Sequence, residues 1–262
     1  MKDETRSVSF ERAAEFYDET RVTDEESLQA TLDLLEDELR SRGRVLEIGV
    51  GTGALALPLA ARGIPVVGVD LAATMMRKLL EKAARRPPVL LVQGDAARLP
   101  FPDAEFGGAY VRWVLHLIPN WRGAVSELCR VVAPGGSVVV EPGGARGLWK
   151  PVMERTIAEI GEAAAPVGLD MRDGDAALDE AFAEAGAARR DLPVHTMPLH
   201  GSLSEYFGEA RRRVYSWTWN VPPEVLDLAL ERVRVWAAAE FCDLDSPLEQ
   251  EAELAWRAYD LG

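Results

Sequence analysis

Between Arg44 and Glu141, five short apolar runs alternate with segments of helix length. The runs are RVLEIG, VVGVD, VLLVQGD, GAYVRW and SVVVEP, and none has the strict apolar-polar alternation of a sheet with one wet face. Continuous apolarity is what a strand needs when both faces of its sheet are covered. The intervening segments at 54–62, 73–86 and 121–132 are expected to be helices. Met76, Leu79, Leu80 and Ala83 make the apolar stripe of the second, and Val125, Leu128, Cys129 and Val132 that of the third. A β-α-β-α order with right-handed crossovers has few solutions, and the one expected here is an α/β fold with a doubly wound, mostly parallel sheet.

The flanks are more helical. Phe10, Ala13, Ala14 and Tyr17 fall at helical spacing and suggest a short helix ending near YDETR. Thr23 and Glu26 have the spacing of a capping box, after which Leu28, Leu32, Leu35 and Leu39 form one stripe that Gly43 stops. Beyond Glu141 the alternation fails. GLWKPVMERTIAEIGEAAAP and DGDAALDEAFAEAG read as helices and RRDLPVHTMPL as a strand. Ser202 with Glu205 opens a helix through Arg213, another runs from about Pro223 to Phe241, and a last strand follows Pro247. The expected organisation is one domain over 1–262, with a helical cap at 1–42, a core at 43–142, and a C-terminal half at 143–262 carrying a helical insertion at about 200–245.

A formal net charge of -14 repels polyanions, so nucleic acid and anionic membrane surfaces are poor partners and a small molecule is the better expectation. The first 40 residues hold 13 acidic and 5 basic side chains, read as a solvated helix face. Cys129 and Cys242 form neither a disulfide framework nor a zinc pattern. With no basic-then-apolar signal pattern and no apolar run of spanning length, a cytoplasmic protein is expected.

In VLEIGVGTG, Gly49, Gly51 and Gly53 stand directly after a strand and before a helix. Glycines there let the backbone turn tightly and approach a ligand closely, with free amides at the helix start facing it. Thr52 or Gly51 is the expected helix cap, and Pro58 is expected to kink the helix. The letters alone also fit the looser dinucleotide pattern when Ala54 is counted, so the surroundings decide. Glu47, Asp70 and Asp95 end three successive strands, and ligands of open α/β sheets bind at the carboxyl ends of strands. Carboxylates gathered there call for donors. S-adenosyl-L-methionine supplies them: ribose hydroxyls for Asp70, an adenine amine for Asp95, and ammonium and sulfonium charges for an acidic mouth that Glu47 helps to make. A dinucleotide would bring a pyrophosphate that the same acids repel.

VLEIGVGTG, VVGVDLAATMM, VQGDAARLPFPDAEFGGAY and CRVVAPGGSVVVEP resemble the successive motifs of class I S-adenosylmethionine-dependent methyltransferases of the type 11 group. The resemblance covers roughly residues 10–142 and implies a seven-stranded sheet of order 3-2-1-4-5-7-6 with strand 7 antiparallel, its last two strands falling near 189–198 and 247–259. It further implies that Gly49, Gly51 and Gly53 form the methionine-side loop, that Asp70 holds the ribose, and that Leu71 and Met75 flank the adenine. Asp95 and Ala96 would read the adenine edge, Val111 and Arg112 at the end of strand 4 would bind the cofactor, and Tyr17 and Arg21 would contact it from a cap. Two positions depart from the pattern: the usual Asp at the start of strand 4 is Gly107, and the usual Ser after Leu71 is Ala72.

Methyl transfer from a sulfonium is an in-line displacement that positioning in a dry site accelerates, and a base matters only when the acceptor must lose a proton. His116, following strand 4, is the expected general base if there is one. His195 and His200 lack a third ligand for a metal. Trp113, Trp149, Tyr206, Phe207, Tyr215, Trp217 and Trp219 favour an apolar or aromatic acceptor, methylated on O, N or C with release of S-adenosyl-L-homocysteine. The alternatives are a non-catalytic S-adenosylmethionine-binding module, an RNA methyltransferase, which the charge and the absence of an NPPY-like motif disfavour, and a nicotinamide oxidoreductase. The residues leave monomer and homodimer undecided.

Overall fold

The five apolar runs become adjacent strands of a seven-stranded sheet, with VLLVQGD at its edge and only partly covered. In the computed structural model, which describes residues 7–20, 24–84, 88–143, 149–170, 174–241, 243–248 and 250–262, the elements begin with helices α1 (Tyr17–Thr20) and α2 (Glu25–Leu39). Then follow β1 (Val45–Ile48), α3 (Ala56–Ala61), β2 (Val66–Asp70), α4 (Ala73–Lys82), β3 (Leu90–Gln93) and β4 (Phe106–Arg112). After these come α5 (Trp121–Val131), β5 (Val132–Glu141), α6 (Trp149–Ile160), α7 (Gly174–Glu184) and β6 (Ala187–Asp191). The chain ends with β7 (His195–Leu199), α8 (Leu203–Arg211), α9 (Pro223–Phe241), β8 (Gln250–Leu254) and β9 (Arg257–Leu261). The sheet order is β3-β2-β1-β4-β5-β9-β6, with β9 antiparallel to both β5 and β6.

The two last strands are not where the sequence reading draws them. RRDLPVHTMPL is two strands, because Pro193 has no N–H for a ladder: β6 stays in the large sheet, and β7 pairs with β8 in a separate two-stranded sheet. The segment after Pro247 divides likewise, β8 going to the small sheet and β9 to the large one.

The chain forms two units. One comprises residues 1–143, 167–195 and 255–262, the other 144–166 and 196–254. Where the sequence reading draws one domain with an insertion at about 200–245, the second unit thus draws on two segments and a wider range. Its own core packs Val152, Phe207, Leu226, Leu230 and Val233, with Tyr215 and Trp217 stacked at its side, ring centroids 6.2 Å apart. The Ser202–Glu205 capping box opens α8, both of its hydrogen bonds present. In the first unit, Leu46, Ile48, Val69, Val111, Val125, Leu128 and Val138 form a continuous apolar core between sheet and helices.

Several local expectations are corrected. The cap of α2 is Asp24, whose carboxylate accepts the Ser27 amide at 2.9 Å; Thr23 lies outside the described residues, as does Cys242. Pro58 is the third residue of α3, where first-turn N–H groups have no partner within the helix to lose, so no kink is required. The helix start is Leu55, with no side-chain cap from Thr52 or Gly51. The amino-terminal helix is a turn at Glu11–Ala13 followed by α1. The acidic side chains of this region are not merely solvated: Asp33 and Glu36 bond Arg62, and Glu38 bonds Arg190.

Gly107, the first departure from the family pattern, has a steric reason. A Cβ there would lie 1.6 Å from the Arg42 carbonyl oxygen, because the turn after α2 packs directly on the start of β4.

Candidate functional site

Parallel strands end on one edge of a sheet, and the turn Gly49–Gly53 leaves β1 at the middle of that edge. All three glycines have positive φ, 71°, 53° and 80°, a region that L side chains rarely occupy. Close approach adds a second constraint, for a Cβ at Gly49 would meet Val114 Cγ2 at 2.3 Å and one at Gly53 would meet Leu79 at 2.7 Å. The turn is tied to the neighbouring strand: Asp70 Oδ2 accepts the Gly51 amide and Oδ1 the Ala72 amide, each at 2.8 Å. Burial pushes the Asp70 carboxyl up from its ordinary range, and these two amides oppose the shift.

A cleft of about 640 Å³, the part open to solvent included, lies along this edge. Of the residues expected to hold a cofactor, Tyr17, Gly49, Gly51, Asp70, Leu71, Met75, Asp95, Ala96 and Arg112 line it. Asp95 lies two residues beyond β3, with one oxygen accepting the Ala97 amide at 3.0 Å and both receiving the Ser7 hydroxyl at 3.1 Å. Arg21 lies outside the described residues. Gly53 and Val111 stand back from the cleft, Gly53 against Leu79 and Val111 in the core.

Glu47 is a correction. It sits inside β1 rather than at its tip, and the pleat turns it into the covered face, where it is 4% exposed. Its register partner on β4 is Tyr110, whose hydroxyl donates to Glu47 Oε2 at 2.8 Å. Burial pushes its pKa up to about 8, with Tyr110 acting the other way. Glu47 therefore stays protonated at neutral pH and supports the strand pair beneath the cleft, instead of charging the mouth.

His116 follows β4. It stands in the Leu115–Leu117 turn, its carbonyl accepting the Gly168 amide at 3.1 Å, and it is not among the residues lining the cleft. Trp113 is, whereas Tyr206, Phe207, Tyr215 and Trp217 belong to the core of the second unit.

Sequence reasoning missed how the amino-terminal segment is fastened. Ser7, Val8 and Phe10 line the cleft. The Val8 amide donates to the Leu117 carbonyl at 2.8 Å, and Asp18 accepts Thr52 Oγ1 at 2.6 Å and pairs with Lys82 at 2.7 Å. Glu11 accepts the Ala73 and Thr74 amides at 2.7 and 3.2 Å. It thereby caps α4 from another segment, where Ala72, the second departure, offers no hydroxyl. Phe10 and Tyr17 meet edge to face at 5.9 Å and pack on Ala14, Ala72 and Met75. Fixed sequence spacing carries no signal for such contacts, since they join residues from 34 positions apart, as Asp18 and Thr52, to 62, as Glu11 and Ala73, and beyond.

Residues 46–140 match the family described as Methyltransferase domain. That stretch is similar to a methyltransferase domain. Its strands β1 to β5 and the glycine turn fall within that match, apart from the first and last residues. A phosphatidylethanolamine N-methyltransferase of Cereibacter sphaeroides is 40% identical over 101 residues, which is 37% of this chain and 49% of that protein. A demethylmenaquinone methyltransferase of Thermus thermophilus is 38% identical over 127 residues, 45% of this chain and 58% of that one. The chain spans about half the length of these curated relatives. In fold, the chain resembles the YcgJ protein of Bacillus subtilis, at a TM-score of 0.64 and 21% identity, covering 91% of this chain and 100% of that one.

Proposed function

We propose that the chain transfers a methyl group from S-adenosyl-L-methionine to O, N or C of a small apolar or aromatic acceptor, releasing S-adenosyl-L-homocysteine. The observation that carries this reading is the convergence of Asp70, Asp95 and the Gly49–Gly51 turn on one cleft, within the stretch similar to a methyltransferase domain. The residues fit the cofactor. At Gly49 a side chain would clash, at Gly51 φ disfavours one, and each carboxylate keeps lone pairs beyond those its own backbone amides use.

When bound, the cofactor supplies an electrophilic methyl on a sulfonium. Asp70 is suited to accept from the ribose hydroxyls and Asp95 from the adenine amine, sharing its oxygens with Ser7. Val8, Phe10, Tyr17 and Met75 line the cleft with apolar and aromatic surface, whose low local dielectric strengthens the polar contacts beside it. Among the described residues that line it, the titratable groups are Tyr17, Asp70, Asp95 and Arg112. The two acids are occupied in binding, so an acceptor with a proton to lose releases it to water or arrives ionised.

An apolar acceptor accords with relatives named for phosphatidylethanolamine and demethylmenaquinone. The net charge of -14 weighs against RNA. Among the described residues no helix is long and apolar enough to cross a membrane, and a cytoplasmic location is part of the proposal. The test is incubation with S-adenosylmethionine carrying a labelled methyl and a metabolite extract, followed by mass spectrometry. Labelled product with stoichiometric S-adenosylhomocysteine supports the reading, and no cofactor binding at millimolar concentration overturns it.

A further inference from the structure

Asp70 and Asp95 both line the cleft, but they are held differently. Asp70 has a backbone amide on each oxygen, that of Gly51 on Oδ2 and that of Ala72 on Oδ1. Asp95 has the amide of Ala97 on Oδ1, at 3.0 Å. A hold on one oxygen leaves the terminal torsion of an aspartate soft, because that torsion is broad and roughly two-fold. The second hold comes from a side chain 88 positions away: Ser7 Oγ stands 3.1 Å from Oδ1 and 3.1 Å from Oδ2. Ser7 is in turn placed by its neighbour Val8, whose amide donates to the Leu117 carbonyl at 2.8 Å. Hydroxyl donors usually approach a carboxylate to about 2.5–2.7 Å. At the longer, equal distances seen here, one hydrogen is shared between the two oxygens, and Oδ2 keeps lone pairs for a ligand.

We infer that Ser7 is a positioning residue for base selection. Its hydroxyl sets the plane of the Asp95 carboxylate so that an oxygen meets an exocyclic amine on the bound base, and the same placement turns away a keto oxygen. An ionised carboxylate only accepts hydrogen bonds, so a keto group facing it leaves both unpaired. Selection of this kind depends on direction: an oxygen free to swing meets the amine less often and evades the keto group more easily. Ser7 therefore acts on the ratio of two affinities, which is what specificity is. A part in fastening the amino-terminal segment would instead change the affinity of every nucleoside that the cleft admits.

This inference rests on S-adenosylmethionine as the cofactor. It is tested by titrating S-adenosylhomocysteine and, in competition with it, S-inosylhomocysteine, which carry an amine and a keto group at the same position of the base. Wild-type protein should prefer the adenine compound by about a hundredfold or more, as sites built around a hydrogen bond do. Ser7→Ala should lower that ratio about fivefold, the worth of one hydrogen bond. Ser7→Thr keeps the hydroxyl and should hold the ratio within about twofold of wild type. Equal weakening of both ligands in Ser7→Ala, an unchanged ratio, or a Ser7→Thr ratio as low as that of Ser7→Ala overturns the assignment. No preference between the bases in wild-type protein overturns it as well, by removing Asp95 as a reader of the base. Failure of S-adenosylhomocysteine to bind wild-type protein at millimolar concentration instead overturns the methyl-transfer reading beneath it.

Discussion

Asp70, the last residue of β2, holds the amide of Gly51 at 2.8 Å, so the tip of one strand fixes the turn that leaves the next. Bonds within the chain thus shape the turn, which spares a ligand the cost of ordering it. The Gly51 amide should accordingly exchange slowly with deuterated solvent in the ligand-free protein. Asp70→Ala should speed that exchange at least tenfold while leaving amides in the middle of β5 unchanged, as read by residue-resolved hydrogen exchange.

The cap that Glu11 supplies to α4 is expected to contribute about 0.5–2 kcal/mol, the usual worth of an N-cap. Glu11→Ala should lower stability by that amount, and adding Ala72→Ser should recover part of it, because residue 72 already has the extended backbone of a cap. The hydrogen bonds from Thr74 and Ala73 hold the Glu11 carboxyl below its ordinary range. The contribution is thus full above the unfolded carboxylate range and fades as pH falls through the lowered value. Denaturant unfolding of the two variants at pH 7 and pH 3 checks both statements.

Restoring the family's usual residue at position 107 should harm this chain. The Cβ of Gly107→Asp would overlap the Arg42 carbonyl, and relief requires moving the turn after α2 away from β4. A loss of about 3 kcal/mol or more is expected in thermal or denaturant unfolding.

Glu47 gives the protein a pH dependence of the sign opposite to that of Glu11. The folded state keeps its proton up to about pH 8, while the unfolded chain releases it near 4.5. The folded state therefore binds more protons between those values. Stability from this group is full below the lower value, declines as pH rises by up to about 1.4 kcal/mol per pH unit, and levels off above the upper one. The slope between pH 5 and 8 should flatten in Glu47→Gln, measured by unfolding both proteins across that range.

The sheet core was legible because its signals are local: apolar runs separated by helical stripes give a doubly wound sheet, and the family resemblance implies its strand order. Asp70 and Asp95 were legible for the same reason, as each stands at or just past a strand end. Glu47 misled because a strand's end cannot be placed to one residue from its letters, and one residue decides whether a side chain faces the ligand or the core. The last strands were misdrawn because two sheets share one apolar texture, and only Pro193 and the pairing partners separate them. The roles of Ser7, Glu11 and Asp18 were invisible because they arise where distant segments meet. The turn after α2 accounts for Gly107 and the Glu11 cap accompanies Ala72, so each departure goes with a contact of this chain's own.

The central claim is that Asp70 and the glycine turn form a nucleoside-binding edge for the methyl donor. Isothermal titration of S-adenosylhomocysteine into wild-type protein and Asp70→Asn at pH 7 tests it most directly. The account expects a single site in the wild type and affinity weaker by about tenfold to a hundredfold in the variant, the loss of charge-assisted hydrogen bonds. Equal affinity in the two proteins, or no binding to the wild type at millimolar ligand, would contradict it.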